Sequence, residues 1–217
     1  MLSQAAKKKR QSVIDACLSM NALGINQGTS GNISLREGKG MLITPTSMPY
    51  DAMTPEDIIE MRLDGKVIGN GRPSTEWRFH LAILRSRPEI NAIVHAHPTY
   101  CTTLAIMERG IPAIHYMIAA AGGDEIRCAP YATFGTEELS VNAVEALKDR
   151  KACLLAHHGM IALGSDLPRA MWLAVEVETL ARQYVNCLQL GEPTVLSSEE
   201  IKNVAARMED YGLSAPQ

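Results

Sequence analysis

Apolar residues recur along this chain in two periods, and the switches between them mark its elements. Residues 4–23 carry apolar positions at helical spacing, including Val13, Ile14, Cys17 and Leu18, and Gly24 ends the run. The small and turn-forming stretch Asn26-Gln27-Gly28-Thr29-Ser30-Gly31-Asn32 then leads into a short strand at Ile33-Ser34-Leu35. A hairpin turn at Glu37-Gly38-Lys39-Gly40 precedes a second strand, Met41-Leu42-Ile43-Thr44. Thr54 and Pro55 read as the cap and first residue of a short helix, and Ile59–Leu63 and Val67-Ile68 flank a turn at Asp64-Gly65-Lys66.

The second half alternates strands and helices. Pro73-Ser74-Thr75-Glu76 opens a helix through Trp77, Phe79, His80, Ala82, Ile83 and Leu84, and the β-branched run Ile93-Val94-His95-Ala96-His97 predicts a strand. A Thr- and Ala-rich helix is expected near 99–109, an extended segment at 112–117, a small-residue turn at 119–123 and a short strand at Tyr131–Phe134. A helix over 136–149, a strand ending in His157-His158, a long helix from about Pro168 to Leu190 and a last helix near 198–209 complete the pattern. Antiparallel-looking strands with helices between them predict an α/β fold: one domain over 1–217, with a mainly antiparallel central sheet sandwiched by helices.

Composition narrows the function. Hydrophobic residues make up 46% and charged residues 21%, as in an ordinary globular protein, and a net charge of −3 gives no footprint for nucleic acid or anionic membrane. The basic run Lys7-Lys8-Lys9-Arg10 reads as the solvated start of the first helix. No apolar run approaches the roughly 20 residues of a membrane span, and the N-terminus lacks a signal-peptide core. The five cysteines are scattered and form no CxxC pair, so reduced core thiols in a cytoplasmic protein are expected.

Four of the six histidines sit at the ends of two apolar runs. On a strand, alternate residues face the same way, so His95 and His97 project together and are placed to share a metal ion. His157 and His158 cannot both face one way on a strand. One of the two is expected to be a third ligand, and the other to hydrogen-bond in the core or beside the site. Glu76, at the first turn of its helix, is a fourth candidate, while His80 and His115 read as structural. Three further segments combine glycine, hydroxyl and amide groups: Gly28–Asn32, Thr44–Ser47 and Pro73–Thr75. Backbone N–H groups and hydroxyls of this kind cradle a phosphate without a cationic side chain, although each segment alone also reads as an ordinary turn or cap, and none is a P-loop or a GxGxxG fingerprint.

Taken in order, Gly28-Thr29-Ser30-Gly31-Asn32, Leu42-Ile43-Thr44-Pro45-Thr46, Ser74-Thr75-Glu76-Trp77-Arg78-Phe79-His80, His95-Ala96-His97 and His157-His158-Gly159 resemble class II aldolases of the fuculose-1-phosphate aldolase type. The segments Pro112–Gly123 and Ala129–Thr136 are similar to that type nearly letter for letter, and the likeness spans essentially the whole chain. The resemblance implies a class II aldolase/adducin-like domain that forms a homotetramer with active sites at subunit interfaces. It implies a Zn²⁺ enzyme (Co²⁺ or Mn²⁺ being alternatives) that cleaves a ketose 1-phosphate to dihydroxyacetone phosphate and an aldehyde.

Carried onto this sequence, the resemblance makes Glu76, His95, His97 and His158 the metal ligands. It places Gly31, Asn32, Thr46, Ser47, Ser74 and Thr75 around the phosphate. Glu76 and Tyr116 become the catalytic pair, with Glu76 moving a proton at carbon after substrate displaces it from the metal. For that its carboxyl pKa would rise near an apolar Trp77/Phe79 face. Tyr116 and Tyr211 would reach a neighbouring subunit's site, and Phe134 would line the aldehyde half. Relative to the fuculose type, Ser47 replaces a glycine, Ser30 a small apolar residue and Met208 an aromatic one. Met208 changes the wall around the aldehyde, which counts against L-fuculose 1-phosphate itself, and a flexible, apolar side chain there suits the methyl or thioether tail of a 5-deoxypentulose or 5-methylthioribulose 1-phosphate. The same fold hosts pentulose-phosphate 4-epimerases, a methylthioribulose-phosphate dehydratase and adducin-like binding modules, and the full histidine set weighs against the last.

Overall fold

A computed structural model of the chain describes residues 2–208. Ser3 accepts from the Ala6 N–H and starts helix α1 (Gln4–Ala22). Strands β1 (Asn32–Glu37) and β2 (Gly40–Ile43) form the expected hairpin, continued by β3 (Ile59–Arg62) and β4 (Val67–Ile68). Gly40 is required where β2 meets β3, because a Cβ there would lie 2.1 Å from the Met61 carbonyl oxygen. Helix α2 (Trp77–Ser86) leads to β5 (Ala92–Ala96), α3 (Thr99–Ile106), β6 (Ile111–Pro112) and β7 (Glu125–Ala129). Helix α4 (Glu137–Ala146), β8 (Ala152–Leu155), β9 (Gly159–Gly164), α5 (Leu167–Leu190) and α6 (Ser198–Met208) follow.

The nine strands form one sheet in the order β4-β3-β2-β1-β5-β9-β8-β7-β6, antiparallel throughout except for β7 beside β8. Its end strands, β4 and β6, are two residues long. Side chains alternate between two cores. Ala92, Val94 and Ala96 of β5 join Met160 and Ala162 of β9 against residues of α1, α3 and α5. Ile93 joins Met41, Ile161 and Leu163 against residues of α2 and α4. The sandwich expected from the sequence is therefore observed, and β5 is buried on both faces because helices cover both.

Four local expectations are corrected. Tyr131–Phe134 is irregular and not a strand, while β7, which the pattern did not suggest, pairs with β8 just before it. The turn expected at 119–123 belongs to a 3-10 helix at Tyr116–Ala121 that ends at the left-handed Gly122. The helices placed at 99–109 and 136–149 stop at Ile106 and Ala146. His157 and His158 lie in the turn between β8 and β9, beyond any strand. Tyr211 lies outside the described residues. Among the described residues no helix is long and apolar enough to cross a membrane.

Arg36 locks α2 to the sheet. Its guanidinium donates to the carbonyls of Leu84, Arg87 and Ile90 at 2.8–3.0 Å, which satisfies acceptors at the open end of α2. Arg36→Ala is expected to destabilise the fold by about 2–3 kcal/mol, since charged hydrogen bonds are lost and carbonyls are left unpaired. Urea denaturation measures this, and a change near zero would show that α2 is held by its apolar face alone.

Candidate metal centre and cleft

Strand register gathers the polar groups. Asn32 of β1 stands opposite His95 of β5, so the two side chains share a face, and Ser34 lies two residues along on that same face. This is the side covered by α2, where the buried Phe79 meets His95 edge-on with ring centroids 5.3 Å apart. Glu76 occupies the N-cap position of α2, and its side chain lies over the sheet there, only 5% exposed.

The carboxylate is shared among several groups. Glu76 Oε2 lies 3.1 Å from His95 Nε2 and accepts from Asn32 Nδ2 at 2.9 Å, and Oε1 lies 3.1 Å from His158 Nε2. His97 Nε2 approaches His95 Nε2 to 2.9 Å. The rings of His95, His97 and His158 stand 4.8–4.9 Å apart with planes at 74–76°, all edges turned toward one point.

Protonation follows from the partners. His95 Nδ1 is 2.9 Å from the Met160 carbonyl oxygen, which only accepts, so Nδ1 carries the hydrogen and Nε2 turns a lone pair to the cluster. Burial, reinforced by His95 and His158, pushes His97 down to about 3 and keeps it neutral at ordinary pH. Burial alone would push the Glu76 carboxyl up. Favourable electrostatics with the facing side chains of His95 and His158 outweigh it and hold the group below the usual carboxylate range. The expectation of a raised pKa beside Trp77 and Phe79 is thereby overturned: imidazoles face the carboxylate, and Trp77 stacks under the Arg78 guanidinium at 4.7 Å.

These residues fit a divalent metal ion. His95 Nε2 and His97 Nε2, 2.9 Å apart, share a hydrogen in the metal-free protein, and with both nitrogens bare they would repel unless a cation lay between them. Glu76 Oε1 is buried and lacks a hydrogen bond, its contact with His158 being misaligned for one. One ligand atom from each of Glu76, His95, His97 and His158 lies within 4.8 Å of the others. Ligands at about 2.0–2.1 Å from a tetrahedral ion would stand roughly 3.3 Å apart, near the spacings found here.

The cluster opens on a cleft of about 390 Å³. Gly31, Asn32, Thr46, Ser47, Ser74, Thr75, Glu76, His97, His158 and Phe134 all line it, whereas His95 lies behind them. The three glycine–hydroxyl segments converge because their backbones pair: Thr46 N–H donates to the Arg72 carbonyl and Ser74 N–H to that of Thr44. Tyr50 holds the first segment through its hydroxyl on the Gly31 carbonyl at 2.6 Å. No lysine or arginine is among the described lining residues.

Tyr116 is not brought to this cleft. It is half-exposed and leans on His115 with ring centroids 4.6 Å apart. Met208 packs on its own chain's apolar core. Of the two places expected for the non-ligand histidine, His157 is outside the core and beside the site: it adopts a left-handed backbone (φ 54°), approaches Glu108 Oε1 to 3.2 Å and meets Tyr131 edge-on at the cleft wall. Tyr131 is a lining residue that the sequence did not suggest. His80, read as structural from the sequence, is fully buried and bonded to both Asn32 and Ser34. Its position four residues after Glu76, on the same face of α2, was the available signal.

A mixed sheet sandwiched by helices, with three imidazoles and one carboxylate beside a glycine–hydroxyl cleft, defines the class II aldolase architecture. The chain belongs to the class II aldolase and adducin N-terminal domain family, which matches residues 11–185. It is 54% identical over 207 residues to the L-fuculose phosphate aldolase of Escherichia coli K12, covering 95% of this chain and 96% of that protein. It is 50% identical over 206 residues to the 5-methylthioribulose-1-phosphate/5-deoxyribulose-1-phosphate aldolase of Rhodospirillum rubrum, covering 95% and 93%. A solved L-fuculose 1-phosphate aldolase superposes with a TM-score of 0.91 at 39% identity, over 96% of this chain and 98% of that one.

Gly159 tests the cluster's tolerance. A Cβ there would lie 2.5 Å from the Ala96 carbonyl and 2.7 Å from His97 Cδ2. Gly159→Ala is expected to displace His97 and weaken divalent-metal affinity about tenfold or more, read by chelator competition. Unchanged affinity would show that the added methyl is accommodated without moving His97 off the site.

Proposed function

We propose that this chain is a zinc-dependent aldolase that reversibly cleaves a ketose 1-phosphate to dihydroxyacetone phosphate and an aldehyde. The observation that carries the reading is Glu76: one buried carboxylate faces three imidazoles and also lines a cleft walled by neutral hydrogen-bond donors. The names of the relatives point the same way and set the candidate substrates: L-fuculose 1-phosphate, 5-deoxyribulose 1-phosphate and 5-methylthioribulose 1-phosphate.

The bound cation supplies Lewis-acid stabilisation of the negative charge that develops when the C3–C4 bond breaks. The chain's own groups do the rest. Backbone and side chains around Gly31, Asn32, Thr46, Ser47, Ser74 and Thr75 hold the phosphate through N–H and O–H donors. In the synthetic direction the Glu76 carboxylate accepts the proton leaving C3 of dihydroxyacetone phosphate, for which an ionised resting state is the useful one. In cleavage the C4 hydroxyl gives up its proton through the group at the C4 oxygen to solvent as C4 becomes the aldehyde carbon, and Glu76 takes one proton from solvent and delivers it to C3, where the bond electrons are left, so no net proton is gained or lost. Tyr116 serves at the C4 oxygen of a neighbouring subunit's cleft in a homotetramer, which accounts for a half-exposed phenol remote from its own cleft; Tyr211 is assigned to the same half, and Phe134 lines it.

A coupled assay for dihydroxyacetone phosphate release from the three sugars, with and without chelator, tests the reaction. Chelator-sensitive release is expected, and the kcat/KM ranking names the aldehyde half. A C4 epimer by NMR with no release, in the presence of zinc, overturns the aldolase reading in favour of epimerisation. Glu76→Gln is expected to lower kcat by about 10²–10⁴-fold while the protein stays folded, and unchanged turnover would remove Glu76 as the base. Mixed oligomers of Glu76→Gln and Tyr116→Phe subunits are expected to regain part of the activity that each variant lacks. No regain would place Tyr116 outside a shared site.

A further inference from the structure

Beneath the carboxylate runs a chain of buried polar side chains. Ser34 Oγ lies 2.7 Å from His80 Nδ1, His80 Nε2 lies 2.5 Å from Asn32 Oδ1, and Asn32 Nδ2 donates to Glu76 Oε2 at 2.9 Å. All four residues are buried.

Donor and acceptor accounting leaves one proton order. An ionised carboxylate only accepts, so Asn32 turns its amide N–H to Glu76 and its carbonyl to His80. That carbonyl also only accepts, so His80 carries its hydrogen on Nε2, and the bare Nδ1 accepts from the Ser34 hydroxyl. An Asn amide has nearly the same shape in either orientation. The flipped one would aim a carbonyl at the Glu76 carboxylate and an amide N–H at the ring N–H of His80, so the two neighbours disfavour it together.

We propose that His80 is a positioning residue: by fixing the orientation of the Asn32 amide it tethers Glu76 Oε2, leaving Oε1 as the oxygen without a hydrogen bond among the imidazoles. Its kinetic consequence rests on the aldolase reading, whereas the tether itself belongs to the fold.

Two variants separate a tether from simple packing. His80→Phe keeps a ring to stack on Phe79, now at 4.6 Å between centroids, but deletes both nitrogens. His80→Gln loses the ring and keeps a donor for Asn32 and an acceptor for Ser34. Packing ranks Phe above Gln, and the tether ranks Gln above Phe. Zinc affinity by chelator competition is expected to fall about tenfold or more in His80→Phe and to stay within about threefold in His80→Gln, with kcat following the same order and KM changing less than about threefold. Equal losses, or Gln the worse of the two, would overturn the proposal. Because zinc affinity is read without substrate, failure of the tether and failure of the aldolase reading are told apart. In metal-loaded wild-type protein, ¹⁵N NMR is expected to show His80 protonated at Nε2. An Nδ1–H tautomer overturns the proposal whether or not the variants fold.

Discussion

The Glu76 carboxylate is the constraint around which this structure is arranged. Burying a lone carboxylate costs several kcal/mol unless partners replace the lost water. Here the partners come from four places in the chain: Asn32 on β1, His95 on β5, His158 in the β8–β9 turn, and the start of α2, where the helix dipole favours negative charge. Each must be delivered to the same point, so the β1–β5 register, the seating of α2 and the turn before β9 are all held by one requirement. A one-residue slip of β1 would turn Asn32 to the opposite core and leave Glu76 Oε2 without its amide donor.

The surrounding loops satisfy a different demand. The segments at 28–32, 44–47 and 72–75 carry few apolar side chains and are positioned by backbone pairing and by single buried anchors such as Tyr50. Arg78 reaches the Gly135 carbonyl and so ties the Tyr131–Phe134 loop to the start of the same helix that carries Glu76. Cleft wall and metal cluster thus share one rigid support, and neither can shift far without moving α2.

Much of this was legible in the sequence because it rests on long, regular patterns. The spacing of Val13, Ile14 and Cys17 and the uninterrupted run to Leu190 specify α1 and α5, and glycine turns specify the hairpins. Alternation alone placed His95 and His97 together. The failures have physical causes. Glu125–Ala129 mixes charge with short apolar residues, since β7 lies near the sheet edge, so it lacks a strand-like composition. Tyr131–Phe134 has aromatic content but turns those rings outward to wall a cleft, which periodicity does not distinguish from burial. The choice between His157 and His158 depends on a left-handed residue in a tight turn, a conformation a non-glycine position does not advertise. The lowered pKa of Glu76 depends on which rings face it, information carried by tertiary register and absent from its own neighbours.

The sheet ends at both sides in strands of two residues, Val67–Ile68 and Ile111–Pro112. Pro112 has no N–H to donate, and two residues offer too short a row of backbone groups to recruit another strand. The sheet is in effect sealed against growth. The same blunted edges guard a nine-stranded sheet against joining edge to edge into fibres.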